Sequence, residues 1–140
     1  MPFERILVAI DGSPGGQKAL EKAIELAKLA GASLSALAVE GKLPAYAASI
    51  GEVEETKLQK DAFFAKLARL AREDAEEEGV AMEVDVQPGH AAELIVRYAR
   101  EHDFDLVVVG HKGHFLEDYL LGSTADRVAH HASCPVMIVK

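Results

Sequence analysis

A chain of 140 residues, 49% hydrophobic and 27% charged, has the length and balance of one globular domain with a substantial core. Its formal net charge of −8 argues against general binding to nucleic acid, which depends on a basic surface. The apolar run in MPFERILVAID is too short for a signal peptide and no later segment approaches membrane length; with the lone Cys134 leaving no internal disulfide, the expected setting is a reducing cytoplasm without membrane contact.

RILVAI (Arg5–Ile10) predicts a buried strand ending at Asp11. In the turn DGSPGG, Ser13 is suited to cap a helix with Pro14 at its first position, and Leu20, Ala23, Ile24 and Ala27 then share one face. Gly31 closes that helix as a left-handed cap. SLSALAVE (Ser33–Glu40) predicts a second strand, followed by the looser GKLPAYAASIG. A long helix is expected over about 52–78, with Phe63, Leu67 and Leu70 at core spacing and Gly79 as its stop. Residues 81–86 (AMEVDV) alternate apolar with polar, as in an edge strand, and Pro88-Gly89 turns the chain. Ala91, Leu94, Ile95 and Tyr98 mark a third amphipathic helix reaching about His102. The unbroken run Leu106-Val107-Val108-Val109 predicts a strand buried on both faces, ending at Gly110. A glycine-bearing loop follows, and Ser123-Thr124 opens a last helix in which Ala125, Val128, Ala129 and Ala132 share a face. PVMIVK (135–140) predicts a short final strand.

The order βαβαβαβαβ requires crossover connections and parallel strands. The expected fold is therefore α/β: a single-domain, doubly wound, Rossmann-like sheet of five parallel strands with helices on both faces. Ligands of such sheets bind beyond the carboxyl ends of the strands, where the winding reverses. Both glycine-rich turns, after the first and fourth strands, lie at carboxyl ends. If those strands are neighbours, Asp11 and the Gly110 loop converge on one crevice.

The turn after the first strand fails the Walker A pattern, because Gln17 stands where glycine is needed and Ala19 where Ser or Thr is needed. No G-x-G-x-x-G follows that strand either. Asp11 has two open readings: a hydrogen-bond acceptor for a ribose or a phosphate-bound Mg²⁺, or a cap for the next helix. The later loop combines glycines, which let backbone amides approach an anion, with a helix N-terminus that adds partial positive charge. This composition suits nucleotide phosphates; the competing reading is a long connection that needs glycine only to turn. Lys112, between His111 and His114, adds positive charge to that loop. The histidines read as loop polarity rather than zinc ligands, since the only cysteine lies beyond the last helix.

RILVAIDGSPGGQKAL at the start, GHAAELIVRYAREHDFDLVVVG in the middle, and GHKGHFLEDYLLGST followed by a helix and CPVMIVK resemble, in that order, the signature blocks of the universal stress protein family. The resemblance spans essentially the whole chain and points to the ATP-binding branch, marked by G-x2-G-x9-G-[ST]. Gly110, Gly113, Gly122 and Ser123 match that pattern, with eight residues rather than nine between the second and third glycines. The resemblance implies ATP as ligand, with Mg²⁺ or Mn²⁺ on its phosphates. It places Gly110, Gly113, Gly122, Ser123 and Thr124 around the phosphates, Asp11 at the ribose or metal, and backbone near Ala9, Ile10 and Val39 at the adenine. It also implies a homodimer through the last strand, Val136–Val139, whose edge would otherwise stand open.

The function expected is a nucleotide-dependent stress or regulatory switch rather than an enzyme. The alternative is a slow ATPase or a phosphoryl or adenylyl transferase, which lacks a Lys-plus-Ser phosphate cradle and a residue to position attacking water. A phospho-receiver would need an aspartate ending the third strand, where Val86-Gln87 stands, and DGSPGG does not suit the phosphate loop of a flavin module.

Overall fold

The computed structural model describes residues 3–40, 50–111 and 123–140. Strands and helices alternate along the chain: β1 (Arg5–Ile10), α1 (Pro14–Ala30), β2 (Ser33–Glu40), α2 (Ile50–Glu77), β3 (Met82–Pro88), α3 (Ala91–Glu101), β4 (Leu106–Gly110), α4 (Ser123–His131) and β5 (Val136–Val139). The strands form one sheet in the order β3-β2-β1-β4-β5, and every pairing is parallel. This is the doubly wound α/β architecture expected from the alternation. Among the described residues, no helix is long and apolar enough to cross a membrane.

The two-residue period of a strand divides the core into two layers. Ile6, Val8 and Ile10 of β1 and Leu106 and Val108 of β4 face the layer built by α1 and α2. Leu7, Val107 and Val109 face the layer built by α3 and α4. Ile6, Leu7, Val8, Val107 and Val108 have no solvent exposure. Complete burial of such a side chain contributes about 1.5–3 kcal/mol, so β1 and β4 form part of a strongly held sheet centre.

Helix α1 begins and ends as its punctuation requires. The buried Ser13 hydroxyl accepts a hydrogen bond from the Gly16 N–H at 3.1 Å, Pro14 opens the helix, and Gly31 closes it at φ 65°. Ser13→Ala removes this cap and is expected to destabilise the protein by about 1 kcal/mol. A urea midpoint unchanged from wild type would contradict that role.

Helix α2 departs from its expected face. Phe63 and Leu70 are 50% and 43% exposed, whereas Ala68, Ala71 and Ala75 are buried, with Phe64 and Leu67 packed partly against the core. The small alanines let this helix lie close to β2 and β3, which turns its larger apolar side chains toward the rim. Within α4, Ala125 and Val128 are buried and Ala132, just past its end, is half-buried, but Ala129 faces solvent. Cys134 is half-buried, and burial, with a smaller effect of Asp105, pushes its thiol pKa up. A thiol held in its neutral form is a poor nucleophile, which agrees with a packing role.

Candidate functional site

The winding reverses between β1 and β4. From β1 the chain steps outward to β2 and β3; β4 then pairs on the other side of β1, with Ile6 opposite Leu106 and Val8 opposite Val108. The carboxyl ends of β1 and β4 thus lie side by side where the winding reverses, the place at which sheets of this kind bind ligands. The two expected convergence points, Asp11 and Gly110, therefore lie on adjacent strands.

The loop after β1 is held by a short hydrogen-bonded chain. Asp11 Oδ1 accepts from the Ser13 N–H at 2.8 Å and from the Ser13 hydroxyl, whose oxygen in turn accepts from Gly16. The Asp11 carboxylate thus supports the start of α1 with one oxygen. Its other oxygen, Oδ2, bonds nothing among the described residues, and the side chain is exposed. The two readings of Asp11 are compatible: one oxygen orders the turn and the other is open toward solvent at the strand end.

Glycines make the close approaches at this end of the sheet. A Cβ on Gly110 would lie 2.7 Å from the Gly15 carbonyl oxygen and 2.8 Å from its carbon, so the end of β4 rests directly on the first turn of α1. A Cβ on Gly16 would lie 2.7 Å from Asp11 Oδ1. Gly12 sits at φ +83°, and a Cβ there would lie 2.7 Å from Phe63 Cζ. Gly110 thereby brings two stretches of backbone together where a side chain would hold them apart, and Gly12 and Gly16 leave room for the Phe63 and Asp11 side chains.

Of the other expected site residues, Ala9 and Val39 are half-buried and both belong to the α3/α4 layer. Ile10 is buried, with its side chain in the opposite layer. Ser123 is exposed and Thr124 half-buried in the first turn of α4. The His111 N–H donates to the Val139 carbonyl at 2.7 Å, which extends the β4–β5 pairing past Gly110. Lys112, Gly113 and Gly122, together with His114, lie outside the described residues. Among the described residues there is no cluster of three or more His, Cys, Asp or Glu able to hold a metal ion. A metal here would need ligands from a bound phosphate, with Asp11 Oδ2 as a protein donor.

An apolar cleft of about 270 Å³ beside Gly12 was not anticipated. Ile10, Leu20, Phe63, Leu67 and Leu70 line it between α1 and α2. Its signal in the sequence is the 63, 67, 70 spacing, which reads equally well as a core stripe.

The profile of the universal stress protein family matches residues 2–140. The chain is 34% identical over 147 aligned positions to universal stress protein YxiE of Bacillus subtilis, covering 99% of each chain. Its fold is similar to that of universal stress protein UspA from Lactobacillus plantarum, with a TM-score of 0.87, 27% identity, and coverage of 100% of this chain and 99% of the other. It is also similar to a universal stress protein solved in complex with cAMP, with a TM-score of 0.74, 26% identity, and coverage of 100% and 98%. An unbroken match to the family profile, with curated and structural relatives aligned end to end, shows that this chain belongs to the universal stress protein family.

Proposed function

We propose that the crevice between the carboxyl ends of β1 and β4 binds ATP, with Mg²⁺ or Mn²⁺ on the phosphates, and that the protein works as a nucleotide-dependent regulatory switch without enzymatic turnover. Backbone at Ala9, Ile10 and Val39 meets the adenine, and the open oxygen of Asp11 meets the ribose or the metal. Gly110, Lys112, Gly113, Gly122, Ser123 and Thr124 surround the phosphates. The bound group would supply a polyanion, and the chain would answer it with amide N–H groups, the positive end of α4 and one lysine.

The observation that carries this reading is the contact of Gly110 with Gly15 at the point where the sheet reverses its winding. It brings backbone rather than side chains together at the strand ends, and the last helix opens with Ser123-Thr124. The relative solved with cAMP supports an adenine nucleotide as the ligand class. Against enzymatic turnover, the Asp11 carboxylate at the end of β1 already spends one oxygen on the turn.

We also propose that the protein is a cytoplasmic homodimer. Residues Val136–Val139 are half-buried and pair on one side only, with β4, among the described residues. A second β5 edge would satisfy the open side.

Thermal unfolding with and without ATP and Mg²⁺ tests the nucleotide reading. Ligand at about 100 times its dissociation constant is expected to add about 2.7 kcal/mol, and Gly113→Trp is expected to abolish that gain while leaving the ligand-free melt unchanged. Equal gains in wild type and variant would place the nucleotide elsewhere. Steady phosphate release lost in Asp11→Asn would favour an ATPase instead.

A further inference from the structure

A groove of about 510 Å³ runs between α3 and α4, on the side of the sheet away from the Phe63 cleft. Its floor is apolar, from Ala92 and Val96, and its walls carry Arg97, Arg100, Arg127 and His131. Three of the six arginines in a chain of net charge −8 thus meet in one place. Arg97 has a partner, Glu101, at 3.8 Å. Arg100 and Arg127 form no ion pair or hydrogen bond among the described residues, and both are exposed. Glu93 is the one carboxylate lining the groove, so guanidinium charge outweighs carboxylate there.

Like charges one turn apart on a helix, as at Arg97 and Arg100, repel each other. That repulsion is relieved when an anion enters. Guanidinium groups match carboxylates with two parallel hydrogen bonds, and they dehydrate more readily than ammonium groups. The apolar floor adds a second requirement that a bare polyanion does not meet: the occupant needs an apolar face beside its negative charges. We propose that the α3/α4 groove docks an acidic amphipathic segment of a partner protein, its carboxylates on Arg100 and Arg127 and its apolar side chains on Ala92 and Val96. This surface stands on its own residues and does not depend on the nucleotide reading.

Fluorescence anisotropy of the full chain with a labelled peptide of repeating Glu-Glu-Leu-Leu tests it, alongside a Lys-Lys-Leu-Leu peptide and a labelled oligothymidylate. The expected result is saturable binding of the acidic peptide alone, weakened about tenfold or more by Arg100→Glu with Arg127→Glu and by raising salt from about 50 to about 300 mM. Arg100→Gln with Arg127→Gln removes the charges without adding new ones and carries the same expectation, while Arg100→Lys with Arg127→Lys retains part of the affinity. Both positions are exposed on helix surfaces, and the melt of each variant shows that it is folded. The proposal is overturned by absence of binding at low salt, by unchanged binding in the Glu and Gln variants, or by tighter binding of the oligothymidylate. Self-association of the wild-type chain that the Arg100 and Arg127 variants abolish would assign the groove to a second copy and overturn it equally.

Discussion

Gly110→Ala is expected to lower folding stability by about 1–3 kcal/mol, the range for inserting a methyl group into closely packed structure. The position is not left-handed, so the cost does not come from backbone strain. It comes from the Gly15 carbonyl, 2.7 Å from where the new Cβ would lie. That neighbour is main chain in the first turn of a capped helix and cannot rotate away as a side chain would. Relief requires α1 to shift against β4, which would disturb Leu20, Ala23 and Ile24 beneath it. Urea unfolding reads this as a lower midpoint at an unchanged slope. The same substitution should weaken ATP by more than its stability cost explains, because the shift moves the Asp11–Ser13 turn relative to Ser123-Thr124. A Gly110→Ala protein as stable as wild type would show that β4 and α1 are not in contact there.

Ile138→Pro is expected to weaken the proposed dimer. In a parallel ladder the N–H and C=O of one residue point to the same side. The carbonyls of Pro135 and Val139 accept from Val107 and His111, so residues 135, 137 and 139 face β4 and residues 136 and 138 face outward. Proline at 138 removes an outward N–H and leaves the pairing with β4 intact. In a two-fold interface the loss occurs twice. At about 0.5–1.5 kcal/mol for each hydrogen bond, the dimer weakens by roughly 1–3 kcal/mol, or about 5- to 150-fold in dissociation constant. Sedimentation equilibrium measures this directly, and an unchanged dissociation constant would place the subunit interface away from β5.

The elements that were legible in the sequence are those whose local chemistry admits one solution. RILVAI and LVVVG are apolar on both faces and short, which suits only a strand covered on both sides, and they are the adjacent central strands β1 and β4. Ser13, Pro14 and Gly31 bound α1 because each meets a backbone requirement at its own position. The face of α2 was not legible. Its 63, 67, 70 spacing and its 64, 68, 71, 75 spacing are both helical, and only the closeness of β2 and β3 selects the alanine side. The site was legible in outline and not in contact. The glycines after β1 and β4 signalled a close approach, but the partners, Gly15 with Gly110 and Phe63 with Gly12, are brought together by sheet order across long stretches of chain. Asp11 shows the same limit. An acid at a strand end allows either a cap or a ligand contact, and it takes the hydrogen-bond geometry to show that one oxygen serves the turn while the other has no bond among the described residues.

Titration calorimetry of the purified chain with ATP, ADP, AMP and cAMP, each with and without Mg²⁺, tests the central claim most directly. The account predicts saturable binding of ATP at one site per chain, lost in Gly113→Trp. Absence of heat and of affinity for every one of these nucleotides would contradict it.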